Sequence, residues 1–369
     1  MDAMKPEIDA RERELLQDVA AFNRSELSTG WQVRGRSLGV RNLAGLRLTD
    51  AALDDVELGE ARLTGARIAS STFRATSFAG IALDEAIVEG TRFQGCHFAY
   101  GTARHTEFVH CVFERCSAVH AGFAESRFTG CTFDGLADEM SAFSGAELED
   151  CRFASFNLRS TDFAGSGLLR VEFADGCMDS VTFARIRHRG LTVRDTSLTQ
   201  CAFDACRYDG LTFAGCTIRG LALTGATLNG LALRGCPEVR GLSAVRSRLD
   251  RLVIEDCPAV AAPRWQETGL TDMTLRKSTV ANLSFAKSTL SGRSVWEDAR
   301  LIGANLSSLE CKGLTLSRVQ FAEYLMLDEA SFEGCRIVDP RYDRGLEITR
   351  AGVRYADSDA FGRPAERPR

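Results

Sequence analysis

A period of five residues governs this chain. From Trp31 to Gly235 it can be cut into consecutive fives without one insertion, in blocks such as ARLTG, STFRA, TSFAG, CTFDG, TDFAG and LTFAG. The third residue of nearly every block is Leu or Phe, and the first is small or aliphatic. Seventeen Phe lie in this stretch, and 16 of them (all but Phe156) occupy third positions. Helix and strand periods of 3.6 and 2 cannot produce that pattern. A fixed short period means one unit stacked many times over.

A repeat of five requires a backbone that turns a corner in every block. Four blocks then close a square coil of 20 residues, and residues 20 apart stack at the β-sheet spacing of ~4.8 Å. Sorting third positions by 20 supports that closure. One column reads Phe73, Phe93, Phe113, Phe133, Phe153, Phe173, Val193, Phe213, and another passes through Phe123, Phe143, Phe163, Phe183 and Phe203. Like residues gather in columns, as the stacked side chains of an interior should.

These blocks resemble the A(D/N)LXX consensus of the pentapeptide-repeat proteins, over roughly residues 31–338. The resemblance implies an all-β fold, a right-handed parallel β-helix with four sides. At 20 residues per coil that is about 15 coils in one solenoid, a rod ~70 Å long. Past Gly235 the frame slips. Third positions fit Val239, Ala244, Leu249 and Ile254, then Leu270 to Val295 in fives, then Leu301 to Phe321, then Leu327, Phe332 and Ile337. Each slip matches one extra residue, a bulge or loop at a corner. The stretch 236–268 is the most irregular. Pro258 and Pro263 each remove a ladder donor, which predicts a protruding loop with Trp265 folded back over the coil.

Open solenoid ends need caps. Residues 1–30 are expected to hold a short N-terminal capping helix, with Pro6 at its start and Leu15, Val19 and Phe22 on one face. Residues 339–369 are expected to cover the last coil with an irregular strand and then fray into a polar tail.

Composition limits the function classes. With 50 acidic and 45 basic residues the formal net charge is −5, which excludes the dominant basic surface of a nucleic-acid binder. The N-terminal residues carry acids where a secretory leader needs a basic start and an apolar run, and no apolar stretch approaches ~20 residues. Thirteen Cys, an odd number without such a leader, point to a reducing compartment. The expected location is the cytoplasm.

The chemistry-bearing residues read mostly as structure. Cys96, Cys111, Cys116, Cys131, Cys151, Cys201, Cys206 and Cys216 all open blocks, so they are expected to be inert inward thiols. A zinc site fails because Cys111, Cys131 and Cys151 form a line, not a tetrahedron, and no CxxC pair exists. His188 falls on a third position, where an interior histidine bonded to a neighbour, or a locally bulged coil, is favoured over a functional one. His105, His110 and His120 have no metal-site spacing. Asp138 occupies an apolar position, and a lone buried carboxylate is costly, so this corner is expected to turn outward. Asp138, Glu139, Glu147, Glu149 and Asp150 would then form a candidate recognition patch, though a solvated face is the commoner fate of such residues. No catalytic motif is present, and the glycines that close blocks serve corners needing positive φ or minimal size, not a phosphate cradle. No catalytic residue, cofactor or metal is expected.

Three functions remain. The first is a non-enzymatic scaffold that binds another protein. The resemblance implies a second, a mimic of duplex DNA that binds a type II topoisomerase such as gyrase. Blocks 31–235 carry 24 acidic and 21 basic residues, too even for a phosphate mimic. A third is an accessory or adaptor role in a bacterial secretion system.

Overall fold

A computed structural model describes residues 10–187 and 189–356. Pro6, His188 and the polar end after Ala356 lie outside the described residues. The chain divides into two compact units, the first ending at Gly167 and the second beginning at Leu168.

The first unit opens with helices Ala10–Gln17 and Val19–Arg24, broken at Asp18. The break has a local cause. The Asp18 backbone is extended, and its carboxylate accepts the Ala20 N–H at 2.8 Å, an N-cap that starts a new helix. Leu15 and Phe22 are buried, and the Phe22 ring meets Trp31 edge-on at 5.6 Å. Asn23, which the sequence pattern does not single out, ties the helix to the first coil. Its amide donates to the Gly45 carbonyl and its oxygen accepts the Arg47 N–H, both at 2.7 Å. This contact satisfies backbone groups at an open sheet edge.

The coils follow at once. Every fifth residue from Gly35 to Gly165 has φ between +45° and +71°, whether it is glycine or not. Three-residue strands between these corners pair in parallel with a register of 20, as in Gln32↔Ala52 and Phe73↔Phe93. The middle residue of each strand points inward and is buried while its neighbours face out. The Phe columns become stacks, with Phe93–Phe113 at 4.9 Å, Phe113–Phe133 at 4.8 Å and planes within 8°. Rings of adjacent columns meet edge to face, as in Phe108–Phe113 at 5.7 Å.

Block-opening residues are buried as well, and they do polar work. Thr106 Oγ donates to the Leu83 carbonyl at 2.7 Å, and the Cys131 thiol donates to the Phe108 carbonyl at 3.3 Å. Cysteine, serine and threonine share this position because each is small and carries one donor for a corner carbonyl.

The second unit keeps the architecture with a different rhythm. Register steps of 21 appear, as in Val239↔Val260 and Leu249↔Leu270, among steps of 20 such as Val260↔Val280. Buried strand centres place the extra residues in four intervals, 233–239, 254–260, 290–296 and 321–327. Pro237 and Pro258 lie in the first two, where a missing donor costs no ladder bond.

Three expectations are corrected here. No loop protrudes at 255–268, since strands Val260–Ala261 and Arg264–Gln266 continue the solenoid. Trp265 is a core residue at 1% exposure, opposite Ala244 and stacked on Phe285 at 4.9 Å. Burying an indole outweighs the two prolines: Pro258 is exposed, and the Pro263 carbonyl still accepts the Ser284 N–H. The third slip also falls one block earlier than the sequence frame suggests. Trp296, not Val295, is the fully buried strand centre. Finally, residues 341–356 are not an irregular cover. Strands Arg341–Tyr342, Glu347–Thr349 and Arg354–Ala356 pair in parallel with the preceding coil.

Candidate interaction surfaces

Asp138 is the centre of strand Ala137–Glu139, between Ala118 and Leu158 of the neighbouring coils. It is only 4% exposed, so the corner does not turn outward as the sequence suggests. One carboxylate oxygen accepts from the Thr161 hydroxyl, and Oδ1 has no partner. Burial pushes its pKa up to about 6, against the pull of the hydrogen bond from Thr161. The regular ladder on both sides holds the strand in phase, and turning it over would break its match with Ala118 and Leu158. Among the described residues it is the one charged side chain in the buried set.

The expected acidic patch is therefore divided. Asp138 is interior, and Glu139 is exposed beside it. Glu147 and Glu149 flank the centre of strand Glu147–Glu149, with Asp150 at the following corner. That strand belongs to a different sheet from Ala137–Glu139, two sides further round the square. The five residues do not share a face.

The core Phe residues lie where the repeat places them. Phe73, Phe93, Phe113, Phe133 and Phe153 are buried in the first unit, and Phe173 and Phe213 in the second.

Histidines are dispersed over the first unit. His97 Nδ1 meets Ser117 Oγ at 2.8 Å, and His105 Nε2 meets Glu125 at 3.0 Å. His120 stacks on Tyr100 at 5.2 Å. Among the described residues, no group of three or more His, Cys, Asp or Glu is placed to hold a metal.

All thirteen cysteines are unbridged, and all except Cys177 are buried. Burial pushes the thiols of Cys201, Cys206 and Cys216 up to about 11, which keeps them protonated. Cys335 differs. A hydrogen bond with Cys311, sulfur to sulfur at 3.6 Å, holds its pKa down at about 7. The block frame does not reveal this pair, because Cys311 centres a strand and Cys335 opens a block.

The outer faces carry charge ladders. In the second unit Arg234, Glu255, Arg276 and Glu297 alternate up successive coils, with contacts of 2.5, 3.8 and 3.0 Å. Arg318 closes the ladder on Glu297 and Asp298 at 2.8 and 2.6 Å. Arg92 pairs with Glu114 in the same way in the first unit.

A corner every five residues, strands in register every 20 and an interior of stacked third positions together define one repeat architecture. The described residues build a four-sided parallel β-solenoid. Solved structures that overlay on it include a trypsin-treated form of QnrB1, a plasmid-mediated fluoroquinolone resistance protein. QnrB1 is 15% identical, and the overlay covers 55% of this chain and 90% of QnrB1 at a TM-score of 0.36. HetL, a pentapeptide repeat protein involved in heterocyst differentiation regulation in the cyanobacterium Nostoc sp. strain PCC 7120, is 16% identical. It covers 82% of this chain and 95% of its own at a TM-score of 0.28. A mannuronic-acid-specific polysaccharide lyase from human gut microbiota overlays at 10% identity and a TM-score of 0.23. Overlaps this loose carry nothing about partner or activity. No family profile matches this chain, and no curated protein sequence does. No helix among its described residues is long and apolar enough to cross a membrane.

Proposed function

We propose that this chain is a pentapeptide-repeat protein, a non-enzymatic scaffold that binds another protein through its outer faces. The observation that supports this most directly is the alternation of Arg and Glu up the second unit, from Arg234 to Arg318. Such a face is rigid, closely paired and nearly neutral. It suits a protein surface of mixed charge. A topoisomerase saddle built for duplex DNA instead seeks unbroken negative charge, so the ladder speaks against the gyrase-binding alternative.

A supercoiling assay with purified gyrase is the direct test. The expected result is neither inhibition nor protection at low micromolar protein. Salt-sensitive inhibition would replace the scaffold reading with DNA mimicry.

A further inference from the structure

The last described coil of the second unit, residues 336–356, ends in an open sheet edge. Its strands Arg336–Val338, Arg341–Tyr342, Glu347–Thr349 and Arg354–Ala356 each pair in parallel with the coil before. Among the described residues no strand pairs with them on the other side. The first coil of the first unit is treated differently, since Asn23 supplies partners for backbone groups there. An edge without such cover presents unpaired N–H and C=O groups to any extended chain. The inward columns stop at the same place. Tyr342 lies on Phe321 at 5.6 Å and Tyr355 on Phe332 at 5.9 Å, while Ile348 stands opposite Leu325. Tyr342, Ile348 and Tyr355 are 44%, 36% and 38% exposed, whereas Phe321, Leu325 and Phe332 beneath them are buried.

The charge pattern changes here as well. Residues 336–356 hold five arginines and three acids, and one of those acids, Asp343, is taken by Arg300 of an earlier coil at 3.1 Å. Among the described residues none of Arg336, Arg341, Arg344, Arg350 and Arg354 meets a carboxylate. In the coils before them, Arg276 and Arg318 are both held by acids. Arg350 is the most telling of the five. Burial pushes the phenols of Tyr342 and Tyr355 up, and the Arg350 charge pulls both back, which places its guanidinium near the two exposed rings. Its Nε is buried and has no hydrogen-bond partner. A buried donor left unpaired is costly, and an incoming carboxylate would satisfy it.

We propose that this edge docks an extended acidic segment of a partner protein, added to the last coil as a further strand. This rests on the protein-interaction reading and adds an end-on site to the outer faces. Three features select the occupant. The unpaired edge takes a strand, whose backbone completes the ladder. The exposed Tyr342, Ile348 and Tyr355 take apolar side chains at alternate positions of that strand. The unpaired arginines take carboxylates at the positions between. A second copy of the chain does not fit edge to edge, because its own last coil would bring five more unpaired arginines against these.

The test titrates the full chain with a fluorescent heptapeptide alternating Glu and Val, and with its Lys and Val counterpart, read by anisotropy. The expected result is saturable binding of the acidic peptide alone. Binding should be at least about tenfold weaker in Arg350→Gln and in Arg354→Gln, with both variants melting as wild type does. Arg276→Gln, on the outer ladder, should change nothing. Methylating the peptide's backbone nitrogens should abolish binding, because a strand needs those donors and charge attraction does not. Equal binding of both peptides, binding of neither, or unchanged affinity in the Arg350 and Arg354 variants overturns the edge site and leaves the scaffold reading standing. Binding that survives methylation overturns strand addition. Self-association that the acidic peptide does not disperse overturns the choice of partner. Tighter peptide binding by the double variant Asp357→Asn, Asp359→Asn does so too, by making the chain's own residues past Ala356 the occupant. The scaffold reading fails separately, on gyrase inhibition that Arg350→Gln leaves unchanged.

Discussion

The two units solve one packing problem in different ways. The first is strict, with a single register step throughout and Phe rings stacked face to face at 4.3–5.3 Å along the Phe73 to Phe153 column. The second tolerates four single-residue insertions past Leu233, where Leu, Val, Ile and two tryptophans outnumber the buried Phe285, Phe321 and Phe332. Stacked rings must lie over one another, so they hold the register to one value. Branched aliphatic side chains pack against whatever lies next to them, so a coil one residue longer costs little. The same division appears outside. The second unit carries the continuous ion-pair ladder, and the first carries the buried Asp138.

Deleting one residue should break this comparison most sharply. Removing Thr132, inside the stacked region, puts every later inward residue of the first unit out of phase. Its unfolding transition should disappear from circular dichroism melts. Removing Pro258 takes away a residue the coil already accommodates as an extra, so the second unit should keep a cooperative transition. Equal damage from both deletions would mean that the insertions are not tolerated as described.

Point substitutions come next. Phe113 is sandwiched by Phe93 and Phe133 at 4.9 and 4.8 Å. Phe113→Ala should cost ~3–5 kcal/mol in urea denaturation, through lost burial and the cavity left behind. A loss under ~1 kcal/mol would show that the stack is not what holds the register.

Asp138 should act in the opposite direction. Its pKa is raised from the ordinary 3.8 to about 6 in the folded protein. The folded state therefore holds the proton more tightly than the unfolded chain. Stability from this group is fully present below about pH 4, falls as pH rises toward 6, and is flat above. The shift corresponds to about 3 kcal/mol at pH 7. Asp138→Leu should raise stability at pH 7 and lose that advantage at pH 4, measured as the difference between variant and wild type. A variant less stable than wild type at pH 7 would mean that the hydrogen bond from Thr161 outweighs the cost of burial.

The smallest effect belongs to the ladder. Arg276→Ala removes contacts to Glu255 and Glu297 from a side chain that is 41% exposed. It should cost less than ~1 kcal/mol and less still in high salt.

Much of this was legible before any coordinates. The spacing of Phe73, Phe93 and Phe113 states the coil length outright, because only a repeat of 20 puts like residues in one column. The slip at 233–239 was visible too. The site residues were harder to read. Asp138 looks as if it must face water, because the cost of burying a carboxylate is local and obvious. The cost of turning its strand over is spread across the two neighbouring coils, and no residue near Asp138 reports it.

What the sequence determined by itself was therefore whatever repeats: the corner, the register, the inward columns and the length of each coil. These follow from local geometry applied identically many times, so a single chain of letters records them redundantly. The tertiary structure decided what happens once only. It buried Trp265 between Ala244 and Phe285 in spite of two prolines, and it placed Trp296 inward in preference to Val295. It buried Asp138 at a strand centre where a lone carboxylate is costly. Each of these outcomes is a competition between neighbours in successive coils, settled by burial and packing that no local pattern encodes.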